Sequence, residues 1–238
     1  MKPAQLPLAL DFSDLNGFDN FETGDNAELL VALDNLINAD KAAFCYLWSD
    51  SANGKSHLLQ AACRQASERG LRAMYIPLAD FVECQSPSML HGLASVDFLA
   101  LDDIHHAAGQ QDWEQALYVL LYEARNAVTQ VVIAGNASVD ALALDTPDLR
   151  TRLSWDGSWH VDSLNDAQLS NYLQQAAKRR GLDMSVDAAA YIVSHHSRDM
   201  KALASLLKRL DKASLAEKRK LTAAFVKSHV DQVTSQSA

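Results

Sequence analysis

Little in this sequence points toward a membrane, a secretory route or a charged polymer. There is no run of about 18 consecutive apolar residues and no basic-then-apolar leader, so neither a membrane span nor a signal peptide is read. Positive charge is in deficit. Lys and Arg number 21 against 30 Asp and Glu, a net charge of -9, which argues against binding DNA or anionic lipid by bulk electrostatics while leaving room for a local basic patch. Cysteine is scarce: Cys45, Cys63 and Cys84 are odd in number and lack C-x-x-C spacing. All three are read as sitting in apolar runs, as buried free thiols of a reducing compartment, the cytoplasm. His105-His106 lack a third ligand at metal spacing, so no zinc site is read there. Internal repeats and low-complexity segments are absent. What remains is a chain of 238 residues, 48% hydrophobic and 21% charged, with the composition of an ordinary globular protein of one large domain, or a large one and a small one.

One further absence is local. Residues 44–57 run Phe-Cys-Tyr-Leu-Trp-Ser-Asp-Ser-Ala-Asn-Gly-Lys-Ser-His. An apolar run ends at Trp48, Gly54-Lys55-Ser56 follows, and a helical pattern starts at Leu58, Leu59 and Ala62. This is the order strand, loop, helix N-terminus that a phosphate-binding loop needs. The pattern G-x-x-x-x-G-K-[ST] is nevertheless missing its first glycine, where Ser49 stands, and Ala52 holds an inner position that is often glycine. A β-carbon at either place costs about 1–2 kcal/mol if the loop needs left-handed backbone there.

Periodicity organises the rest. Leu29, Leu30, Leu33, Leu36 and Ile37 predict a helix over 27–37, with Asn26 as its N-cap. Strands are predicted at about 42–48, 72–78, 96–101, 130–134 and 159–161, with helices to about Arg69 and over 112–126 between them. The stretch from Phe81 to Leu93 is mixed. Strands alternating with helices imply an α/β fold whose parallel sheet is covered on both faces, with ligands at the carboxyl ends of the strands. After Val161 no further strand is predicted; helices are expected over 166–180, 186–195, 198–210 and 221–230. The expected division is 1–20 as a peptide and linker, 21–162 as the α/β domain and 163–238 as a small all-helical domain. In the first stretch, Gln5-Leu6-Pro7-Leu8-Ala9-Leu10 either folds onto its own domain or docks as an extended peptide in another protein's groove. Residue types alone leave both open. Lys178-Arg179-Arg180 reads as a solvated helix end, and Trp155 and Trp159 as packing residues.

Three strands deliver polar residues to one edge. Backbone N–H groups of Ser51, Ala52, Asn53, Gly54, Lys55 and Ser56 can cradle a polyphosphate. Lys55 can reach the β- and γ-phosphates, and the Ser56 hydroxyl is the natural Mg²⁺ ligand. Phe98-Leu99-Ala100-Leu101 runs into Asp102, which would hold Mg²⁺ through water, and Asp103, which would polarise an attacking water. Asn136, ending the next strand, could orient that water or sense the γ-phosphate.

These residues resemble those of the DnaA branch of the AAA+ ATPases, P-loop NTPases with a five-stranded parallel sheet and a helical lid, and the resemblance covers essentially the whole chain. Phe18-Asp19-Asn20-Phe21-Glu22-Thr23-Gly24-Asp25-Asn26 is similar to the family segment lining the adenine pocket, which implies Phe21 and Asn26 as contacts. Gly54-Lys55-Ser56-His57-Leu58 resembles the end of Walker A, Leu101-Asp102-Asp103-Ile104 matches Walker B, and Asn136 falls at sensor 1. Pro147-Asp148-Leu149-Arg150-Thr151-Arg152-Leu153-Ser154-Trp155 looks like box VII, which implies that Arg152 is an arginine finger acting on a neighbouring subunit's nucleotide. Arg198 in Ser197-Arg198-Asp199-Met200, opening a lid helix, falls at sensor 2.

Two departures from DnaA shape the expectation. DnaA continues into a helix-turn-helix DNA-binding domain, whereas this sequence stops at Ala238. DnaA begins with an oligomerisation domain, whereas this sequence begins near a hexapeptide similar to the sliding-clamp motif of the family's short regulatory members, with Gln5, Leu6, Leu8 and Leu10 as anchors. The resemblance implies a cytoplasmic, nucleoid-associated regulator. Bound to the β sliding clamp of DNA polymerase III on DNA, it would stimulate ATP hydrolysis by DnaA and prevent re-initiation. It would touch DNA only through the clamp and no membrane, hold ADP rather than ATP with Mg²⁺ as a structural ligand, and turn over little or no ATP itself. A homodimer or higher homo-oligomer fits the head-to-tail habit of AAA+ proteins. The alternatives are an ATPase acting on its own nucleotide through Asp103 and Asn136, and an adaptor that recruits DnaA or a helicase.

Overall fold

The computed structural model describes residues 17–217 and 219–234. The peptide bearing Gln5, Leu6, Leu8 and Leu10 lies outside them. Five parallel strands form one sheet: β1 (Ala43–Trp48), β2 (Ala73–Pro77), β3 (Phe98–Asp102), β4 (Gln130–Gly135) and β5 (Ser158–His160), in the order β2-β3-β4-β1-β5. The helices are α1 (Ala27–Ile37), α2 (Lys55–Glu68), α3 (Leu78–Phe81), α4 (Gln111–Asn126), α5 (Pro147–Leu153), α6 (Asp166–Arg179), α7 (Val186–His195), α8 (Met200–Glu217) and α9 (Ala223–Thr234).

The central strands β1, β3 and β4 are buried on both faces, which is why they read as unbroken apolar runs, whereas the edge strand β5 is partly exposed. Phe44, Tyr46, Leu99, Leu101, Val131 and Ile133 join one core with Trp113, Leu117, Leu120 and Leu121 of α4 and Leu149 and Leu153 of α5. The alternate residues Cys45, Leu47, Phe98, Ala100, Val132 and Ala134 are equally buried and face the other way. On that side α2 packs across β2, β3 and β4. Its apolar stripe, Leu58, Leu59, Ala62 and Ala66, is what the helical spacing anticipates.

The chain divides into two compact units. One comprises Glu28–Asp50 and Lys55–His160 with the described residues up to Phe21. The other comprises Glu22–Ala27, Ser51–Gly54 and Val161 onward, so two short N-terminal segments group with the C-terminal helices. In the second unit α6 to α9 surround a core of Leu169, Leu173, Ile192, Leu203, Leu207 and Phe225. Asn165 and Gln168 form a capping box at the start of α6, each side chain taking one of the N-terminal N–H groups.

Four local readings change. Asn26 does not cap α1 with its side chain; its amide donates to the Asp162 carbonyl (3.1 Å) and accepts from the Asp162 N–H (2.8 Å). Arg198 stands two residues before α8 rather than within its start, because Asp199 supplies the acceptor for the Ala202 N–H (2.8 Å). The mixed stretch after Phe81 resolves into single 3₁₀ turns at Pro87–Leu90 and Leu93–Ser95. Cys84 is exposed, since it falls in the turn after α3 where only Val82 points inward. Cys45 and Cys63 are buried, and burial pushes both thiols up to about 12, leaving them protonated and inert. Among the described residues no helix is long and apolar enough to cross a membrane.

Candidate functional site

The strand order places the candidate residues. β4 lies between β1 and β3, so the exposed Asn136, just beyond Gly135, emerges between the loop after β1 and the acids ending β3. Gly135 is required where it stands. A β-carbon there would lie 2.1 Å from the hydroxyl of Tyr46, which is fully buried and donates to the Ala137 carbonyl at 2.7 Å.

Lys55 opens α2. Its ammonium donates to the Ser49 carbonyl at 2.9 Å and to the Ser49 hydroxyl at 2.7 Å. Ser49 is wholly buried. The side chain that replaces the expected glycine thus gives the lysine a second acceptor. The backbone cost expected of residues 49 and 52 does not arise. The only described non-glycine residues at positive φ are Asp103 (55°) and Val128 (63°), and the left-handed residue of the loop is Gly54 (94°).

Asp102 is the centre of a buried network. Its carboxylate accepts from the Tyr75 hydroxyl at 2.7 Å, from the Asp103 N–H at 2.9 Å and from the Ser56 hydroxyl. Burial raises its pKa above the usual carboxylate range, and the bonds from Ser56 and Tyr75 oppose that rise. Asp103 is held in the left-handed region, which short acidic side chains tolerate, and begins a turn through Ile104–His106. His57 donates from Nε2 to the Gly17 carbonyl at 2.9 Å, and its ring lies 5.9 Å from that of Phe21.

The two arginines of α5 have different surroundings. Arg150 donates to the carbonyls of Val139 (3.2 Å), Asp140 (2.7 Å), Leu142 (3.2 Å) and Leu144 (3.4 Å), bracing the 139–144 segment. Arg152 makes one carbonyl bond, to Tyr118 at 2.6 Å, and its guanidinium lies 3.5 Å from the centroid of the Tyr118 ring. Tyr122, itself exposed, stands 5.2 Å away and Trp155 5.4 Å away. Such stacking holds a cation without neutralising it.

The second unit carries the other candidates. Asn53 donates to the Val161 carbonyl (2.9 Å) and accepts from the Ser51 hydroxyl (3.0 Å), and the Ala52 carbonyl accepts from the Met200 N–H (3.3 Å). Arg198 pairs with Asp166, both exposed.

Tyr75 lies within the strand predicted over 72–78, and nothing in the sequence pattern marks it for the site. Its register against Ala100 puts it on the same face as Asp102, one diagonal step away, but that signal exists only once β2 and β3 are paired. Magnesium takes hard oxygen ligands, with one or two from protein and the remainder from water and phosphate. A serine hydroxyl bonded to a buried carboxylate is such a pair, so Ser56 and Asp102 fit the ion.

A parallel sheet with a lysine- and serine-led helix after its first strand, and a buried acid at the end of another, defines a P-loop type of α/β protein. The family model described as the bacterial DnaA ATPase domain matches residues 12–158, and that described as the Hda lid domain matches residues 166–230. The chain belongs to the DnaA-related AAA+ family, in its Hda-type branch. Among solved structures it is similar to domain III of Thermotoga maritima DnaA, with a TM-score of 0.77, 17% identity, and 90% of this chain and 95% of that one covered. The replication initiator DnaA bound to AMPPCP and single-stranded DNA gives 0.73 at 17% identity, over 88% and 70%. The Thermotoga maritima RuvB Holliday junction branch migration motor gives 0.70 at 18%, over 92% and 72%. At these identities the likeness concerns the fold alone.

Proposed function

We propose that this protein is an adenine-nucleotide-binding regulator that completes the active site of DnaA. In this reading the N–H groups of 51–56 and the Lys55 ammonium hold the phosphates, with Phe21, Asn26, His57 and Arg198 as further contacts. Ser56 and Asp102 hold Mg²⁺, which when bound would neutralise phosphate charge. ADP is the resident nucleotide and sets shape rather than being consumed. That a DnaA relative binds AMPPCP supports the choice of an adenine nucleotide. The peptide around Gln5, Leu6, Leu8 and Leu10 docks on the β sliding clamp, and DNA is met only there. Residues 21–162 serve as the nucleotide-binding domain and 163–238 as the lid, and a homodimer covers the finger until DnaA competes for it.

The observation that carries this reading is the contrast within α5. Arg150 is committed to four carbonyls, whereas Arg152 keeps a stacked, charged guanidinium beside an exposed tyrosine. A planar cation with no counter-ion among the described residues suits a phosphoryl group supplied by another subunit. The test is hydrolysis of DnaA-bound ATP on clamp-loaded DNA. Replacing Arg152 by Ala should lower the stimulated rate by about 10³-fold, with ADP binding by the variant unchanged. A stimulated rate equal to wild type would sink the assignment. Turnover by the isolated protein, expected to be negligible, separates this reading from an ATPase that uses Asp103 and Asn136 on its own nucleotide.

A further inference from the structure

We infer that Tyr75, backed by Gln60, is a positioning residue for the Mg²⁺ site, holding Asp102 in the orientation that meets Ser56. The inference rests on the nucleotide-binding reading above and adds residues that the P-loop pattern does not contain.

The geometry is a chain of hydrogen bonds that starts and ends on α2. Ser56 and Gln60 stand one turn apart on α2 and so share a face. The Ser56 hydroxyl bonds the Asp102 carboxylate, and the Gln60 side chain bonds the Tyr75 hydroxyl. Tyr75 links the two by donating to Asp102 Oδ2 at 2.7 Å. Three elements, α2, β2 and β3, therefore converge on one carboxylate that is only 1% exposed. Tyr75 is buried as well, at 5%. A buried phenol needs a partner, and this one donates its single proton to a single carboxylate oxygen.

The consequence concerns rotamer choice. A carboxylate at the end of a strand can turn about its side-chain torsions, and a bond to Oδ2 from one side and to Oδ1 from the Asp103 N–H leaves it one orientation. Partners that orient a metal ligand without touching the metal commonly change metal affinity by about 10–100-fold when removed. Tyr75→Phe removes the hydroxyl and keeps the ring, so packing between β2 and α2 is preserved.

The experiment titrates Mg²⁺ into the full chain with a fluorescent ADP and follows nucleotide binding rather than turnover. For wild type, Mg²⁺ should tighten ADP binding. In Tyr75→Phe the Mg²⁺ concentration at the half-point should rise by about tenfold or more, with ADP binding in EDTA unchanged. Gln60→Met should move the half-point less, in the same direction, and should add nothing in the Tyr75→Phe background, because Gln60 acts through the phenol. An unchanged half-point in Tyr75→Phe overturns the inference. If that variant does not fold, an unchanged half-point in Gln60→Met does so. Wild type that binds ADP without any Mg²⁺ effect overturns the inference and leaves the nucleotide reading standing. Wild type that binds no ADP overturns that reading and the inference with it.

Discussion

Single side chains decide how the ends of the strands are shaped. The Tyr46 hydroxyl occupies the space that a side chain at residue 135 would need, with Tyr46 Cζ 3.1 Å and Ile104 Cγ2 3.3 Å from the same point. Gly135→Ala should destabilise the protein by about 1–3 kcal/mol through overpacking. Adding Tyr46→Phe, which removes the clashing oxygen, should recover part of that loss even though Tyr46→Phe alone costs about 1 kcal/mol for its hydrogen bond. Denaturant unfolding of the double-mutant cycle measures both; a purely additive cycle would contradict the clash. Val128 is strained for a different reason. It takes the left-handed position after α4, where its N–H bonds Arg125 and the next N–H bonds Ala124, the closing pattern that usually uses glycine. It is 53% exposed, so little packing is at stake. Relief of about 1–2 kcal/mol, offset by the larger unfolded-state freedom of glycine, should leave Val128→Gly more stable by about 0.5–1 kcal/mol, seen as a raised denaturant midpoint.

Elements are joined here by polar braces as well as by the core. Glu114, in the first turn of α4, is buried and accepts from the N–H groups of Gly109 (2.8 Å), Asp145 (3.0 Å) and Thr146 (2.7 Å). Burial alone would raise its pKa, but these bonds outweigh it and the net shift is downward. A lowered carboxylate pKa stabilises the fold above the ordinary glutamate range, and that contribution is lost as pH falls through the folded value. Glu114→Gln should therefore cost about 1–3 kcal/mol near neutrality. The deficit should shrink as pH falls below the glutamate range. Thermal unfolding across an acid series reads this out, and a deficit independent of pH would assign the loss to shape instead. Through Asp145 and Thr146 the same carboxylate braces the approach to α5, the helix that carries Arg150 and Arg152.

At the scale of the molecule, charge makes a separate prediction. With a net charge of -9 the protein should not retain duplex DNA at about 0.15 M salt, where screening confines surface charge to about 8 Å. Retention that weakens with rising salt would instead reveal a local basic patch, such as Lys178-Arg179-Arg180. Much of the architecture is legible in residue order alone. Apolar runs such as Phe98–Leu101 and stripes such as Trp113–Leu117–Leu120–Leu121 are set by which faces are buried, and burial patterns are written in residue type. The loop after β1 and the acids after β3 are legible too, because a polar cluster that closes a buried apolar strand stands out against it and marks the strand's carboxyl end, where α/β sheets bind ligands. Tertiary structure decided what depends on neighbours distant in the chain. It set the strand order that puts Asn136 between the other two strand ends, the engagement of Lys55 by Ser49, and the contrast between Arg150 and Arg152. It also set the exposure of Cys84, the use of Asn26 on Asp162, and the bond from Tyr75 to Asp102. A hydrogen bond between residues 27 positions apart has no periodic signature. Only the pairing of β2 with β3 brings its two ends within reach.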